Sequence, residues 1–269
     1  MTLPVALSIA GSDSGAGAGI QADLKTFAAF GVYGVTVITA ITAQNTLGVR
    51  AVQEVDASVI AAQLDAVAED FSIAALKTGM LSSAVIIDVV AAGIKGHRLG
   101  PLIVDPVMVA KSGDRLLRED AVDALRRRLL PLAHLVTPNI PEAEVLSGRT
   151  IRTRDDRVAA ALAIMELGAQ AVVIKGGHSE DDPIVDLLVD GQGVHEYPAP
   201  RIVTTSTHGT GCTFSAAITA ALATGQDLQR AVAGARDYVS RALASAPALG
   251  HGHGPLNHFP AMQVAHARR

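Results

Sequence analysis

Residues 5–41 read VALSIAGSDSGAGAGIQADLKTFAAFGVYGVTVITAI, and three patterns follow one another in them. The run Val5–Ala10 is short and almost wholly apolar, as in a buried strand. Ile20–Phe30 repeats apolar residues at the spacing of a helix, and Val35–Ile41 is apolar and β-branched again. Strand, helix and strand in this order predict two parallel strands joined by a crossover helix.

The same alternation continues along the chain. Further short apolar runs predict strands, and the segments between them carry apolar residues at helical spacing. The predicted strands are Ala74–Thr78, Leu102–Asp105, Leu132–Thr137 and Ala171–Lys175, and the predicted helices are Val59–Glu69, Ala84–Ile94 and Val158–Leu167. The pattern predicts an α/β fold in which helices cover both faces of a mostly parallel central sheet.

The segment Ile184–Tyr197 departs from this alternation. It holds two extended runs on either side of Asp190–Gly193, and a turn that begins Asp-Gly is typical of a β-hairpin. No internal repeat and no linker rich in Pro, Gly or Ser divides the chain, so we expect one domain over residues 1–269. We expect residues 250–269, which are rich in Gly and His, to form a loosely held tail.

Composition and charge exclude several classes of protein. The 269 residues are 49% hydrophobic and 18% charged, which provides a large core and excludes intrinsic disorder. A formal net charge of -4 offers no basic surface for a nucleic acid. Cys212 is the single cysteine and cannot form an internal disulfide. A lone cysteine suits a reducing compartment, and we expect the protein in the cytoplasm.

Two long stretches without charge, Thr26–Val49 and Ile202–Gln226, do not fit membrane spans. Gly31 and Gly34 interrupt the first, and the second is rich in Thr, Ser and Gly. No Lys or Arg precedes the apolar run near the N-terminus, so this run does not fit a secretory signal. We therefore expect no membrane partner.

The strongest local motif is residues 207–213, which read THGTGCT and precede a small-residue helical pattern, Phe214–Thr224. Glycines just before a helix let backbone N–H groups converge on one anion, and the helix start adds partial positive charge. The motif therefore predicts an anion hole. A thiolate is stabilised at such a helix start, so Cys212 is a candidate base near neutral pH. The alternative is a glycine-rich turn with a buried, inert cysteine.

A second motif, residues 137–144, reads TPNIPEAE and places Asn139 three residues before Glu142. Pro138 and Pro141 fix the chain where a strand ends and a helix begins. A carboxylate and an amide that face one way can hold a hydrated Mg²⁺, which seldom needs more than one or two protein carboxylates. The alternative is that Asn139 caps the helix and Glu142 completes the capping pair.

Two further polar residues close predicted strands. Asp105 ends a buried apolar run, and ligands of open α/β sheets bind beyond the carboxyl ends of the strands. Lys175 ends another strand and could bring a cation to phosphate oxygens. The alternatives are a turn cap for Asp105 and an ordinary surface position for Lys175.

The glycine-rich segment Gly11–Gly19 follows the first strand. The positions of Gly15, Gly17 and Gly19 do not give Gly-x-Gly-x-x-Gly, and no Gly-Lys-Ser/Thr ending is present, so both familiar nucleotide loops fit poorly. We expect this loop to bring backbone close to a small flat ligand.

Taken together, these segments resemble the hydroxymethylpyrimidine and phosphomethylpyrimidine kinases of the ribokinase-like superfamily over nearly the whole chain. The resemblance rests on the segments 10–13, 18–26, 39–46, 77–81, 105–108, 110–114, 137–143, 175–178 and 207–212, whose order and content both agree. Where many sugar kinases of the superfamily carry aspartate at the end of the glycine motif, this chain carries Cys212, which favours the vitamin-kinase branch.

The resemblance implies a three-layer α/β/α ribokinase-like domain, often a homodimer, that uses ATP and Mg²⁺. Its reaction would be phosphorylation of 4-amino-5-hydroxymethyl-2-methylpyrimidine to the monophosphate and then the diphosphate, in thiamin biosynthesis. The implied pyrimidine site comprises Gln44, Gly11, Asp23, Met80 and Val107. The implied phosphate, nucleotide and metal site comprises Lys175, Asn139, Glu142, Asp105, Thr207, Gly209, Thr210 and Gly211, with Cys212 as base.

Three expectations remain open at this point. Lys111–Asp114, polar and glycine-bearing between a strand and a helix, would make a lid that excludes water from ATP. A pyridoxal kinase, or one enzyme with both activities, is the alternative among enzymes. A pyrimidine-binding domain without catalysis is the alternative outside enzymes.

Overall fold

The structure is a computed structural model and describes residues 3–109, 113, 116, 119–178 and 182–260. Strands and helices follow one another in the predicted order. The strands are β1 (Val5–Asp13), β2 (Tyr33–Asn45), β3 (Gly48–Glu54), β4 (Ile73–Thr78), β5 (Leu102–Val104), β6 (Leu135–Val136), β7 (Val172–Ile174), β8 (Ile184–Asp190) and β9 (Gly193–Ala199). The α-helices are α1 (Gly19–Ala29), α2 (Ala57–Asp70), α3 (Ala84–Gly96), α4 (Glu119–Ala124), α5 (Ile140–Ser147), α6 (Arg154–Glu166), α7 (Thr210–Ala223) and α8 (Leu228–Ala244).

The strands form one sheet in the order β3-β2-β1-β4-β5-β6-β7-β8-β9. Pairing is parallel from β2 through β1 and β4 to β7. The predicted hairpin is confirmed as β8 and β9, with Asp190 paired to Gly193 at its turn. A second hairpin, β2 with β3, was not predicted from the sequence. Most residues of β3 are exposed, so the strand lacks the apolar alternation that reveals a half-buried one.

Helices cover both faces of the sheet, which confirms the α/β/α prediction. Leu7 and Ile9 of β1 face a core that contains the buried side chains of α2 to α6. Ala6, next to Leu7 in the chain, faces the opposite side, where Phe27 of α1 packs against α7. Helices α7 and α8 share a further core with Ile103 and with strands at the other half of the sheet. None of the helices in the described part of the chain combines the length and apolar character needed to cross a membrane.

Residues 250–260 pack against the rest of the protein, so the prediction of a loosely held tail is wrong for this segment. Leu256 is 3% exposed, and the Tyr238 hydroxyl donates to the carbonyl oxygen of His258 at 2.6 Å. The His253 N–H donates to the carbonyl oxygen of Thr46 at 2.8 Å. The segment therefore fixes the turn between β2 and β3. Residues 261–269 lie outside the described residues.

The carboxyl ends of the parallel strands meet at one edge of the sheet, because parallel strands all run in one direction. Strand β1 lies between β2 and β4, which is a topological switch point where ligands of α/β proteins bind. The polar residues predicted for the site lie just beyond these ends. Asp105 follows β5, Asn139 follows β6 and Lys175 follows β7, with Asn139 and Lys175 bridged side by side.

Candidate active site

A cavity of about 630 Å³ opens at this edge of the sheet. Its size is within the range typical of sites for small molecules. Every residue that the sequence pointed to as a site residue lines it: Gly11, Asp23, Gln44, Met80, Asp105, Val107, Asn139, Glu142, Lys175, Thr207, Gly209, Thr210, Gly211 and Cys212. The fold thus brings together motifs that are far apart in the chain.

The glycine motif before α7 has the backbone that an anion hole requires. Gly209 precedes the first turn of α7 with φ +83°, a left-handed conformation that favours glycine. A Cβ on Gly209 would also collide with the carbonyl oxygen of Gly17. The Thr210 N–H donates weakly to Thr207 O at 3.4 Å and the Thr213 N–H donates to Gly209 O at 2.8 Å. The other N–H groups that begin a helix have no partner inside it. The helix start is therefore available to an anion beside Lys175, whose Nζ would lie 3.3 Å from a Cβ on Gly211.

Cys212 is half-buried in the first turn of α7. Burial raises the pKa of its thiol to about 12, and the carboxylates of Asp105 and Asp23 add to this rise. The positive charge of Lys77 lowers the pKa of the thiol but does not offset burial. The expectation of a stabilised thiolate near neutral pH is therefore wrong for the unliganded site, and Cys212 carries a hydrogen there.

Lys175 lies between two carboxylates. Its Nζ is 3.1 Å from Asp105 Oδ1 and 4.0 Å from Glu142 Oε2. Burial lowers the pKa of Lys175, but these carboxylates raise it further, so the ammonium group stays charged. Burial alone would raise the pKa of Asp105, yet Lys175 and Lys77 hold it below its usual value. Burial raises the pKa of Glu142 to about 7.

Asn139 and Glu142 form the capping pair that the sequence left as an alternative. The Asn139 side chain accepts from the Glu142 N–H at 2.9 Å, and the Glu142 carboxylate accepts from the Asn139 N–H at 2.8 Å. Both residues nevertheless line the cavity, because the start of α5 faces it. Capping orients the Glu142 carboxylate, so the structural role and a ligand-binding role coincide.

The carboxylates of Asp105 and Glu142 fit a magnesium ion better than a structural metal. In the described residues, no three His, Cys, Asp or Glu side chains gather as a complete metal site. Mg²⁺ keeps most of its waters and takes one or two carboxylates together with substrate phosphates. Asp105 and Glu142, which both lie beside Lys175, supply two carboxylates.

The other half of the cavity is lined by Gly11, Met80 and Gln44. Gly11 lies against Met80, whose Sδ would be 3.3 Å from a Cβ at this position. The Thr39 hydroxyl donates to the carbonyl oxygen of Met80 at 2.8 Å and fixes this wall. Gln44 lies half-buried at the end of β2 and brings a polar group to the apolar lining.

Asp23 lies deeper than the other residues predicted for the pyrimidine site. It is 0% exposed, and its carboxylate accepts from Lys77 Nζ at 2.8 Å and from the Ser8 hydroxyl at 2.6 Å. Both oxygens are therefore engaged inside the protein. The pair with Lys77 places an ammonium group and its carboxylate together in the lining of the cavity.

Sequence reasoning missed six charged or titratable side chains that line the cavity: Lys77, Asp13, His208, Asp186, Arg201 and Arg236. Lys77, Asp13 and His208 nevertheless stand inside motifs that carry the family resemblance, Lys77 before Thr78-Gly79 and His208 before Gly209. Their partners are distant in the chain, so no local spacing could reveal them. Of the predicted lid, Lys111, Ser112 and Asp114 lie outside the described residues.

Phosphoryl transfer depends mainly on positioning and charge neutralisation, and the cavity provides donors, a cation and carboxylates for both. The fold and this site define the class as small-molecule kinases of ribokinase-like architecture. Residues 13–257 match the family model described as phosphomethylpyrimidine kinase. The chain belongs to the phosphomethylpyrimidine kinase family.

Individual relatives agree with the family model. The hydroxymethylpyrimidine/phosphomethylpyrimidine kinase of Rhizobium meliloti is 54% identical over 259 residues, which cover 95% of this chain and 97% of that protein. The crystal structure of the phosphomethylpyrimidine kinase from Clostridium difficile is 44% identical with a TM-score of 0.81, covering 90% of this chain and 100% of that one. The pyridoxal kinase of Staphylococcus aureus in complex with AMP-PCP is 36% identical with a TM-score of 0.90, covering 98% and 96%.

Proposed function

We propose that the protein transfers the γ-phosphoryl group of ATP to the hydroxymethyl oxygen of 4-amino-5-hydroxymethyl-2-methylpyrimidine, and then a second phosphoryl group to the monophosphate. These are the pyrimidine steps of thiamin biosynthesis. The observation that carries the proposal is one cavity in which the Gln44 half adjoins Lys175 and the helix start of α7. A small ring and a nucleotide phosphate would therefore meet inside it.

The acceptor half suits an aminopyrimidine. Gln44 offers one acceptor and two donors, which match a ring nitrogen beside an exocyclic amine. Gly11 leaves room for a flat ring against Met80, and Val107 lines the cavity with them. Asp23 acts on the site through Lys77, since both its oxygens are already bonded.

The donor half suits a nucleotide with Mg²⁺. Apolar side chains line the cavity on the side of the β8–β9 hairpin and α8, and a base ring could pack there: Ile184, Pro200, Ile202, Val239 and Leu243. Asp105 and Glu142 would hold the metal, with Asn139 and Thr207 beside the nucleotide. When bound, Mg²⁺ neutralises charge on the phosphates. The AMP-PCP complex of the S. aureus relative supports a nucleotide triphosphate as donor.

In the reaction, the acceptor oxygen forms a bond to the γ-phosphorus while the bond from that phosphorus to the β–γ bridging oxygen breaks. The helix start at Gly209 and Gly211 donates N–H groups to the transferring phosphoryl oxygens, and Lys175 adds a positive charge. The Thr210 N–H joins them by exchanging its long 3.4 Å bond to Thr207 O for a phosphoryl oxygen. In the first step the hydroxyl proton must leave. Cys212 is the base in this proposal, which requires its pKa to fall from about 12 when the ligands change the charge around it.

Pyridoxal phosphorylation is a second candidate. It is favoured by the TM-score of 0.90 to the S. aureus pyridoxal kinase. Turnover of each acceptor at equal concentration separates the two activities. A higher kcat/KM for pyridoxal would make the pyrimidine activity secondary.

We also propose that the protein is a homodimer that acts in the cytoplasm, the compartment where ATP is abundant. The β2–β3 hairpin supports self-association, because β3 is an edge strand and Ile41 and Val52 are 56% and 44% exposed. Edge strands that carry exposed apolar residues favour association with another chain. Sedimentation equilibrium of wild type and of Val52→Lys tests this proposal, since a monomeric wild type would contradict it.

The experiment that tests the function is product analysis by mass after incubation with Mg-ATP and the pyrimidine alcohol. Successive gains of one and two phosphoryl groups are expected. Gln44→Leu, which removes the polar end of the side chain, should lower kcat/KM for the pyrimidine on the order of 10²-fold with little change in affinity for ATP. Unchanged pyrimidine turnover in this variant would remove Gln44 from the site.

A further inference from the structure

The side chain of Gln44 lies between two groups that are themselves held in place. Gln44 Nε2 is 3.4 Å from His208 Nε2, and Gln44 Oε1 is 3.1 Å from the Thr42 hydroxyl. His208 Nε2 is 2.8 Å from Asp13 Oδ2. The Thr42 hydroxyl is 3.0 Å from the carbonyl oxygen of Ser12. The hydrogen-bonding roles of His208 and Thr42 therefore determine which end of the Gln44 amide, oxygen or nitrogen, faces each of them.

The proton on His208 follows from its partner. The Asp13 carboxylate accepts N–H groups from Gly15 at 2.8 Å, Gly17 at 3.1 Å and Ala18 at 2.8 Å. A carboxylate bonded in this way is ionised and has only acceptors to offer. His208 Nε2 therefore carries its hydrogen and donates it to Asp13. A group beside this N–H is stable only if it is an acceptor.

The Thr42 hydroxyl leads to the same orientation. A carbonyl oxygen can only accept, so Thr42 donates its single hydrogen to Ser12 and offers Gln44 a lone pair. The two ends of a glutamine amide have nearly the same outline, so its partners determine which end is oxygen. Exchanging the ends removes the conflict of two donors at His208 and the conflict of two acceptors at Thr42, because the amide oxygen then faces His208 and the amide nitrogen donates to Thr42.

We propose that His208, held by Asp13, is a specificity-determining positioning residue that locks the Gln44 amide in this orientation. The cavity then presents one acceptor and one donor to the ring in a fixed order. An aminopyrimidine offers an exocyclic N–H donor beside a ring-nitrogen acceptor. The corresponding pyrimidinone offers an exocyclic oxygen beside a ring N–H, which is the reverse order. A free amide would serve both rings, whereas a locked amide prefers one.

Packing keeps His208 from turning away. Its side chain is 10% exposed, and a Cβ on Gly17 would collide with its ring. The backbone N–H of His208 donates to the carbonyl oxygen of Gly254 at 3.0 Å. The orientation of His208, and with it that of Gln44, therefore depends on the loop after β1, the motif before α7 and the C-terminal segment.

The inference rests on the proposed function, because the acceptor must be an aminopyrimidine. The experiment measures kcat/KM for 4-amino-5-hydroxymethyl-2-methylpyrimidine and for its 4-oxo analogue, and compares their ratio. We expect wild type to favour the amine by on the order of 10²-fold. His208→Leu should narrow this ratio at least about tenfold, whereas His208→Gln, which keeps an N–H near the same place, should retain most of it.

A second pair of variants keeps the test decisive if His208→Leu does not fold. Thr42→Val removes the hydroxyl from a similar shape and should narrow the ratio, and Thr42→Ser should not. An unchanged ratio in the folded members of His208→Leu and Thr42→Val overturns the lock but leaves the proposed function standing. Absence of aminopyrimidine turnover in wild type overturns the proposed function and, with it, this inference.

Discussion

Lys77 Nζ lies 2.8 Å from Asp23 Oδ1, and neither side chain is exposed to solvent. Burial lowers the pKa of Lys77, but Asp23 and other nearby acidic groups raise it further, so the lysine remains charged. A buried pair of this kind contributes little as a pair, yet removing one partner leaves an uncompensated charge inside the protein. We therefore expect the effects of substituting Lys77 and Asp23 on the free energy of unfolding to be coupled.

Lys77→Met and Asp23→Asn should each lower the free energy of unfolding by about 3–5 kcal/mol, because each leaves one member of the pair without its partner. The double variant Lys77→Met with Asp23→Asn should lose clearly less stability than the sum of the two single losses. Arg127→Met, which breaks an exposed pair with Asp123, is the control and should cost at most about 1 kcal/mol. Urea unfolding measures all four proteins, and additive losses would contradict the coupling.

Lys175 should matter more for turnover than for acceptor binding. A cation aimed at the transferring phosphoryl group stabilises the transition state most, so Lys175→Ala should lower kcat on the order of 10²-fold or more. The KM for the pyrimidine should change by less than about threefold, since Lys175 lies among Asp105 and Glu142 and not beside Gln44. Steady-state kinetics with each substrate varied in turn checks this. Equal losses in binding and rate would mean that Lys175 only shapes the cavity.

Glu142→Gln should stabilise the unliganded protein above neutral pH. Burial raises the pKa of Glu142 from 4.5 to about 7. A carboxyl with a higher pKa in the folded protein binds a proton more tightly there, so wild type loses stability as the pH rises from about 4.5 to about 7. The glutamine variant does not titrate and should exceed wild type by about 1–3 kcal/mol at pH 8, with little or no gain at pH 4.5.

Urea unfolding at the two pH values, without nucleotide or metal, measures this difference. Glu69→Gln, which changes an exposed carboxyl, is the matched control. A gain from Glu142→Gln that is the same at both pH values would show that the carboxylate is not penalised by burial. Loss of kinase activity in the same variant would fit a carboxylate that is retained for Mg²⁺ at a cost in stability.

The sequence predicted the parts of the molecule that local pattern determines. Strands such as β1 and β4 are buried apolar runs, and Asp105 and Lys175 follow strand ends directly, so a parallel sheet was enough to bring them together. The helix bounds came within a few residues, since apolar spacing marks a helix better than its ends. The capping pair at Asn139 was visible because it is a relation over three positions.

The parts that were missed depend on distant contacts or on backbone. Asp13 and His208 are 195 positions apart, and Lys77 and Asp23 are 54 apart, so their pairing exists only once the sheet is built. The C-terminal segment is held largely by its own backbone N–H and C=O groups, which leave no side-chain pattern to read. The high pKa of Cys212 likewise comes from the walls of the cavity and outweighs the local effect of the helix start.

Gly252→Ala should weaken use of the pyrimidine from outside the cavity. A Cβ on Gly252 would collide with the carbonyl oxygen of Thr46, in the turn that follows Gln44. Displacing this turn should raise the KM for the pyrimidine by about tenfold, since small misplacements of a contact group are costly, and should leave the KM for ATP within about twofold. Gly96→Ala is the control, because a Cβ there would meet no atom within 4 Å. Equal effects on both substrates would instead indicate general loosening of the fold.

Cys212 should distinguish the two phosphorylation steps. The pyrimidine alcohol must lose a proton as its oxygen attacks, whereas a phosphate monoester has a second pKa of about 6 and is already ionised at neutral pH. A base is therefore useful only in the first step. Cys212→Ser, which keeps the backbone of the anion hole, should slow that step on the order of 10²-fold and the second step by less than about threefold.

The pH dependence provides an independent check. Because burial raises the pKa of the Cys212 thiol to about 12, its thiolate fraction grows about tenfold for each unit of pH through the neutral range, or begins to level off if bound ligands lower the pKa. In wild type, kcat of the first step should therefore rise with pH, while kcat of the second step stays nearly flat. In Cys212→Ser, kcat of the first step should not rise with pH. Lys77→Met should shift the wild-type rise to higher pH, because Lys77 lowers the pKa of the thiol. The measurement supplies each acceptor separately and determines kcat from pH 6.5 to about 9. If Cys212→Ser lowers kcat equally in both steps at every pH, Cys212 only shapes the anion hole.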